Sequence, residues 1–498
     1  MSTTSKRGLI RLAGLGGAIA TGVAVAVLCV IPLPSLFLTP VTLTVNPTPS
    51  APHKVCPGGL VDVIGSKGDA TTFQGFASPT FATMSSGNPA AVSPLAAPDN
   101  AAKNPAVFPQ LLTGEVSTDP AKPVVIAGAQ SQYAKSDVIS GLASSACGEA
   151  STDQWLVGGS TEVGRTTLLL LNNPLEVESV VSLEIFGENG LVDAPGTTNI
   201  IVPPQSQRIL SLAAFAPNLV EPVVHVTTSG GQVYATLQQT VTRVVTPSGV
   251  EYVSPGAPAS TLQVIPGVAL SGQAGADGEG GQVTNDLAPG IRVLIPGDVD
   301  AEVTATIIGV SGEPVVVKSR LTARHTIQLP FSGVSDGVYT VIVTANVPVV
   351  ASARSVQSPG VAIAPIAPAA AAPAGAPAAE GATTPAAGGD FSWNASAVQL
   401  GGTALVPIPA GPNALLTLFN SGTNKADVAL LSNGQPWQTV ELPAGASRVV
   451  DVSGQVSVTI TNAPTVHASV TQRAVGQGTA YPVTPASRLG SAVTVFPR

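Results

Sequence analysis

Two patterns of apolar and polar positions divide the chain. The first is a continuous apolar run, Leu12–Ile31, which follows Lys6, Arg7 and Arg11 and holds no charge. Its 20 residues, at about 1.5 Å each in a helix, cross roughly 30 Å of hydrocarbon. After Arg11 the next ionisable side chain is His53. The excess of positive charge before the run puts residues 1–11 in the cytoplasm. Residues 12–31 are then a single transmembrane signal-anchor helix, with the bulk of the chain outside the cell membrane. Secretion after cleavage is the alternative, since Ala24-Val25-Ala26 has the small-x-small form of a cleavage site. Apolar character continues past it through Leu28, Val30, Ile31 and Leu33–Leu38, longer than the ~7–15 residues of a signal's apolar region, which favours the uncleaved anchor. Cys29 follows Leu28, where a lipoprotein site would need a small residue, and reads as a membrane-buried thiol.

The second pattern is alternation with period two, carried by a block that recurs three times. The copies are His225-Val226-Thr227-Thr228 with Val233-Tyr234-Ala235-Thr236-Leu237, Val341-Ile342-Val343-Thr344 with Val349-Val350-Ala351-Ser352-Ala353, and Val458-Thr459-Ile460-Thr461 with Val466-His467-Ala468-Ser469-Val470. Thr228, Thr344 and Thr461 are 116 and 117 residues apart. Each block reads as two strands around a four-residue turn, which is a hairpin. Further segments repeat in the same order. Leu168–Asn173 matches Leu415–Asn420, and Gly249 and Tyr252 match Gly478 and Tyr481. Short strands with turn signals every 8–12 residues predict antiparallel sandwiches, so the fold class is all-β: tandem Ig-like modules after one transmembrane helix.

The expected organisation is a Pro-rich stalk at 32–55, a disulfide-tied, loop-rich β region at 56–150, and sandwich modules at 151–270, 287–360 and 390–498. Residues 361–389 are rich in Ala and Pro with one charge, Glu380, and read as a linker between the second and third modules. Residues 66–120 show weak periodicity and are expected to form long loops.

Composition narrows the function classes. Only 10% of the residues are charged and 4% aromatic, while Gly and Pro number 52 and 45. Three of the 21 Lys and Arg precede the span, so the remainder of the chain carries 18 against 29 acids, net −11. No basic cluster could follow a nucleic-acid backbone. Beyond the span the cysteines are Cys56 and Cys147. In an exported chain they form one disulfide, closing a loop of 92 residues.

A family resemblance follows from several motifs. They are Cys56-Pro57-Gly58-Gly59-Leu60, Ala146-Cys147-Gly148, Trp155–Thr161 with Gly164-Arg165, Leu171-Asn172-Asn173-Pro174, Asp193-Ala194-Pro195-Gly196, and Ile201-Val202-Pro203-Pro204 with Leu210-Ser211-Leu212. With the preceding anchor, they resemble the actinobacterial family DUF5719. The resemblance implies an exported or single-pass envelope protein and supplies no catalytic residues.

Candidate chemistry is sparse. Gly333-Val334-Ser335-Asp336-Gly337 matches G-x-S-x-G, but the following Val338-Tyr339-Thr340-Val341 reads as a strand where a nucleophile elbow needs a helix. His53, His225, His325 and His467 have no ligand at metal spacing and read as ordinary strand or turn histidines. Asp298 and Asp300, or Asp277 and Glu279, fall short of a calcium ligand set, and Asp390 and Asp451 lack a paired carboxylate. Trp155 and Trp393 are expected between sheets, and Trp437 could stack on a sugar. The expected function is a membrane-anchored extracytoplasmic scaffold or binding protein of the envelope, without catalysis, metal or cofactor. Its partner would be another envelope protein or cell-wall glycan, with no nucleic acid. The alternatives are an envelope hydrolase, with Ser335 or an interdomain cleft as its site, and an accessory subunit of a cell-wall glycan machine.

Overall fold

The computed structural model describes residues 51–63, 73–117, 119, 123–271, 288–358 and 389–485, with the backbone of 43–45 and 493–495. It is all-β and antiparallel. Residues 1–48 with 490–498 form one unit, in which Leu43–Val45 pairs with Val493–Val495, and residues 49–489 form the other. The apolar run Leu12–Ile31 lies outside the described residues. Among the described residues no helix is long and apolar enough to cross a membrane.

Four hairpins organise the larger unit: β1 (Ile126–Lys135) with β2 (Ser140–Ala146), β3 (Tyr234–Arg243) with β4 (Thr246–Val253), β5 (Gly337–Gln357) with β6 (Asp390–Ala395), and β7 (Val466–Ala474) with β8 (Gln477–Pro482). Each of the last three completes a sheet of a sandwich. In the first sandwich, Ser206–Ser211, Arg165–Asn173, β3 and β4 form one sheet. It faces Asp153–Val157, Val223–Ser229, Ser179–Gly187 and two short strands. Gly402–Pro407, Ser457–Ala463, Ala426–Ser432 and Gln435–Leu442 face Ser447–Asp451, Ala414–Asn420, β7 and β8 in the same order in the third.

The apolar runs show why these strands sit where they do. Side chains alternate across a strand, so a run of consecutive leucines needs cover on both faces. Leu169 and Leu171 point into the first sandwich with Leu183, Val226 and Leu237. Leu168 and Leu170 face Leu60, Phe73 and Ile139 of the N-terminal region. In the third sandwich Leu416 and Leu418 enter the core, while Leu415 meets Ala269 and Val338 of the second.

The recurring blocks are not hairpins. Val223–Ser229 pairs with Asp153–Val157 and Ser179–Gly187, whereas β3 pairs with Arg165–Asn173 and β4. The chain therefore crosses from one sheet of the sandwich to the other, and the third copy does the same. In the middle copy there is no turn at all. Strand β5 runs 21 residues, pairing with Ala301–Gly309 up to Ala345 and with Gly290–Leu294 from Val350. Pro348 lies at the crossing, where a missing N–H disturbs no ladder. A hairpin and a sheet crossing share the same alternation, and only the partner strands distinguish them.

Three other segments differ from expectation. Within 66–120 the chain forms strands at Phe73–Gly75, Thr80–Ser85, Ala91–Pro94 and Gln110–Thr113. Ser260–Leu270 and β6, at the edges of the expected first and third modules, both pair with β5 of the second. The Ala/Pro segment 361–389 consequently joins the two strands of one hairpin, since Gln357 and Asp390 are direct partners.

Strands β2, β4, β6 and β8 each lie at the edge of a sheet, and they pack against one another in that cyclic order. No ladder joins them. Two buried carboxylates take its place. Asp390 accepts backbone N–H groups from Phe391 (3.0 Å) and Val250 (3.3 Å) on one oxygen, and from Leu142 (2.9 Å) and Gly478 (3.4 Å) on the other. Glu251 accepts the N–H groups of Tyr252 (2.9 Å), Ser144 (3.2 Å) and Ala480 (3.4 Å), and the Thr479 hydroxyl (2.9 Å). A Cβ on Gly141 or Gly249 would come within 2.7 or 2.9 Å of the Asp390 Oδ1 atom, and both have positive φ, so only glycine fits. The Cys56–Cys147 disulfide ties the first N-terminal strand to the end of β2.

Burial pushes Asp390 up to about 8 against the pull of its four N–H donors, and holds Glu251 well above the usual carboxylate range. A carboxyl with a raised folded-state pKa binds its proton more tightly in the native state. The associated stability is therefore present below the ordinary carboxylate range and lost as pH rises through the folded value. Denaturant unfolding is expected to show lower stability at pH 8.5 than at pH 5. The difference should be smaller in Asp390→Asn, which is also destabilised by about 1–3 kcal/mol at pH 5 because its amide cannot accept all four N–H groups. Replacing both Cys56 and Cys147 by Ala should cost about 5 kcal/mol by the loop-entropy relation, read from the same denaturation curves.

Candidate functional site

The candidates drawn from the sequence lie apart. Ser335 is exposed in a turn, 3.3 Å from the Tyr339 hydroxyl, and β5 begins at Gly337 where an elbow would require a helix. His53 approaches the Thr113 hydroxyl (3.2 Å), and His325 the Ala323 carbonyl (2.8 Å). His467 bonds the Ala397 carbonyl (2.7 Å) and the Ser421 hydroxyl (3.0 Å). Burial pushes His53 and His467 below the usual imidazole range. Asp298 pairs with Arg324 (3.4 Å), Asp300 accepts the Ala323 N–H (2.9 Å), and Asp451 accepts that of Ser453 (2.8 Å). Asp277 and Glu279 lie outside the described residues. Among the described residues no group of three or more His, Cys, Asp or Glu is placed to hold a metal ion. Trp437 is half-buried on the edge strand Gln435–Leu442, against the third core.

His225 has surroundings its sequence neighbours do not reveal. Cross-strand register puts Trp155 on one side and Glu184 on the other. The imidazole stacks on the indole at 3.9 Å between centroids and bonds Glu184 (2.8 Å) and Asp153 (3.3 Å). This is a polar cluster on the outer face of a sheet, with no nucleophile among these bonds.

Among the described residues a shallow concavity, open to solvent, lies between the first and second sandwiches. Arg292 and Trp393 dominate it. Arg292 stands on Gly290–Leu294, a strand otherwise apolar, and is 3% exposed. Its Nη1 donates to the carbonyls of Gly159 (2.8 Å) and Pro222 (3.1 Å), and its Nη2 to those of Gln328 Oε1 (3.2 Å) and Val220 (3.3 Å). The guanidinium lies 4.6 Å from the Trp393 ring centroid, a cation–π arrangement. Its Nε meets no acceptor among the described residues. The Trp393 indole N–H donates to Gln239 Oε1 (2.7 Å), and both residues line the cleft. Arg354, 5.0 Å from the Phe391 ring, and Glu162 complete the charged lining.

Burial lowers Arg292 to about 10, opposed by the negative charges of Glu221 and Glu188. Those acids act through space. Glu188 is aligned with the backbone N–H groups of Val220 (3.4 Å) and Glu221 (3.3 Å), and burial raises Glu221. Arg473 on β7 is another buried guanidinium whose side-chain nitrogens meet no acceptor among the described residues.

The sequence signal for the cleft is a charge within an apolar run, Ile291-Arg292-Val293-Leu294. An arginine flanked by strand residues with no exposed face must point into protein, where it needs carbonyls or an anion. Its partners come from positions up to 133 residues away, beyond the reach of spacing arguments.

Comparison with known proteins adds one firm assignment. No curated protein matches the chain. A solved structure, titled Crystal Structure of Thermotoga maritima 1070, aligns at 16% identity over 20% of this chain and 83% of its own, with a TM-score of 0.17. The model of the family of unknown function DUF5719 matches residues 99–453, from before β1 through the third sandwich's Ser447–Asp451 strand. This protein belongs to the DUF5719 family.

Proposed function

We propose that this protein is a non-catalytic scaffold or binding protein of the cell envelope, made of tandem Ig-like sandwiches and held at the membrane by Leu12–Ile31. The observation that carries the reading is the ring of β2, β4, β6 and β8 around Asp390 and Glu251. It unites sheets from every part of the larger unit into one body, an arrangement suited to presenting surfaces at fixed separation. The disulfide fits an oxidising compartment outside the cytoplasm. The partner is an envelope protein or cell-wall glycan, and half-buried Trp437 on an edge strand is the first stacking candidate for a sugar.

Co-sedimentation of the detergent-solubilised full chain with purified cell-wall sacculi tests this reading. Saturable pelleting is expected, competed by free glycan and weakened at least tenfold in Trp437→Ala. Labelling by broad hydrolase probes that disappears in Ser335→Ala, without pelleting, would replace the scaffold by an enzyme.

A further inference from the structure

The four strands of the central ring run in one direction. Asp390, at the start of β6, meets Leu142, Val250 and Gly478 early in β2, β4 and β8. Further along, the Ser144 hydroxyl meets that of Thr479 (2.7 Å) and the Ser145 hydroxyl that of Ser254 (3.4 Å). The turns that lead into β2, β4 and β8 therefore leave the ring at the same end. Each carries an exposed valine: Val138 (47%), Val244 (99%) with Val245 (81%), and Val475 (38%). Val163 (88%) joins them, because the next residue, Gly164, accepts the Thr242 N–H at the end of β3 (2.8 Å).

Folding does not call for these valines. Arg243 and Thr246 are direct partners, so Val244-Val245 is a two-residue connection, and Val244 has φ 60°. Glycine takes the positive-φ place in such turns, and a β-branched residue there is strained. The chain uses the ordinary solution elsewhere. Asn433-Gly434, at φ 49° and 77°, joins Ser432 to Gln435, and Val475 is followed by Gly476 at φ 67°. A strained backbone that holds an apolar side chain out in solvent calls for a surface outside the chain.

The chemistry of this end selects the partner. None of residues 136–138, 163–164, 244–245 and 475–476 is aromatic or Met, the residue types that anchor protein–protein contacts. The valines stand on separate turns, which suits a deformable surface better than a rigid pocket. Lys135, Arg165 and Arg243 flank them, with Asp137 and Glu162. Arg473, near Val475, is offset by the negative charge of Asp336. Such a near-balance matches head groups that carry both signs and not a polyanionic surface. We propose that this end of the ring inserts its valines into the head-group boundary of a zwitterionic lipid surface. The contact is separate from any made by Leu12–Ile31 and stands without that anchor. Shallow seating, about 5–10 Å deep, is what short turns tipped with valine allow.

The test attaches a nitrobenzoxadiazole dye to the full chain through Val245→Cys, in a Cys29→Ser background. The labelled chain is reconstituted into liposomes of phosphatidylcholine doped with its doxyl-labelled form. The expected result is a blue-shifted emission that loses roughly half its intensity to the doxyl lipid. Val138→Cys should respond in the same way, and decides the matter should Val245→Cys misfold. Val299→Cys, at a site 62% exposed beyond the end of Gly290–Leu294 away from Gln357, should stay in water and unquenched. A dye unquenched in both Val245→Cys and Val138→Cys overturns the proposal. So does a blue shift that needs no lipid, which would mark contact between copies of the chain. Quenching only after half the phosphatidylcholine is replaced by phosphatidylglycerol overturns the zwitterionic assignment. Flotation of the same liposomes reports separately on the Leu12–Ile31 anchor, so the two readings fail independently.

Discussion

A sheet edge presents a row of N–H and C=O groups that must be paired, covered or left in water. Here four edges turn inward and meet. Water is excluded from the junction, and the strands approach side by side without forming ladders. Asp390 and Glu251 resolve this by placing carboxylate oxygens where carbonyls of a neighbouring strand would otherwise stand. Burying two acids is costly, and their raised proton affinities are the measure of that cost. The glycines at 141 and 249 exist in this setting to let the backbone close on Asp390. This junction gives the sandwiches a common reference.

Packing sandwich against sandwich also accounts for the unusual composition. Strands such as Arg165–Asn173 and Ala414–Asn420 are buried on both faces, so they carry leucine at successive positions instead of alternating with charge. Fewer outward faces mean fewer places for Lys and Glu, and the chain carries 10% charged residues. Polar side chains are instead used inside. Gln132 and Gln238 accept the N–H groups of Leu60 and Val61 (2.9 Å each), acting as a surrogate strand for the segment after Cys56.

The all-β class and the three recurring blocks were legible because alternation and turn residues are local signals. Partner choice was not. Val341–Ala353 alternates like a hairpin, yet Pro348 marks a crossing within one long strand. The strands between Phe73 and Thr113 carry little sequence signal because short Ala/Ser/Thr-rich segments have weak contrast between faces. Gly249 and Gly478 were visible as a matched pair, but their convergence on Asp390 depends on strands 140 and 88 residues away from it. Arg292 stands out in the sequence only as a charge within an apolar run, and its partners lie up to 133 residues away, beyond any spacing argument.

The hairpin of β5 and β6 has one last implication. Its ends, Gln357 and Asp390, are fixed as neighbours by the ladder and by the buried junction, whatever joins them. Loop-closure entropy grows only with the logarithm of length, about 0.6 kcal/mol per doubling, so the connecting segment is free to lengthen or shorten at little thermodynamic cost. Nor is its covalent continuity needed to hold β6 in place. A chain cut there would remain a complementing pair of fragments, the smaller carrying the third sandwich and delivering Asp390 to the centre of the larger.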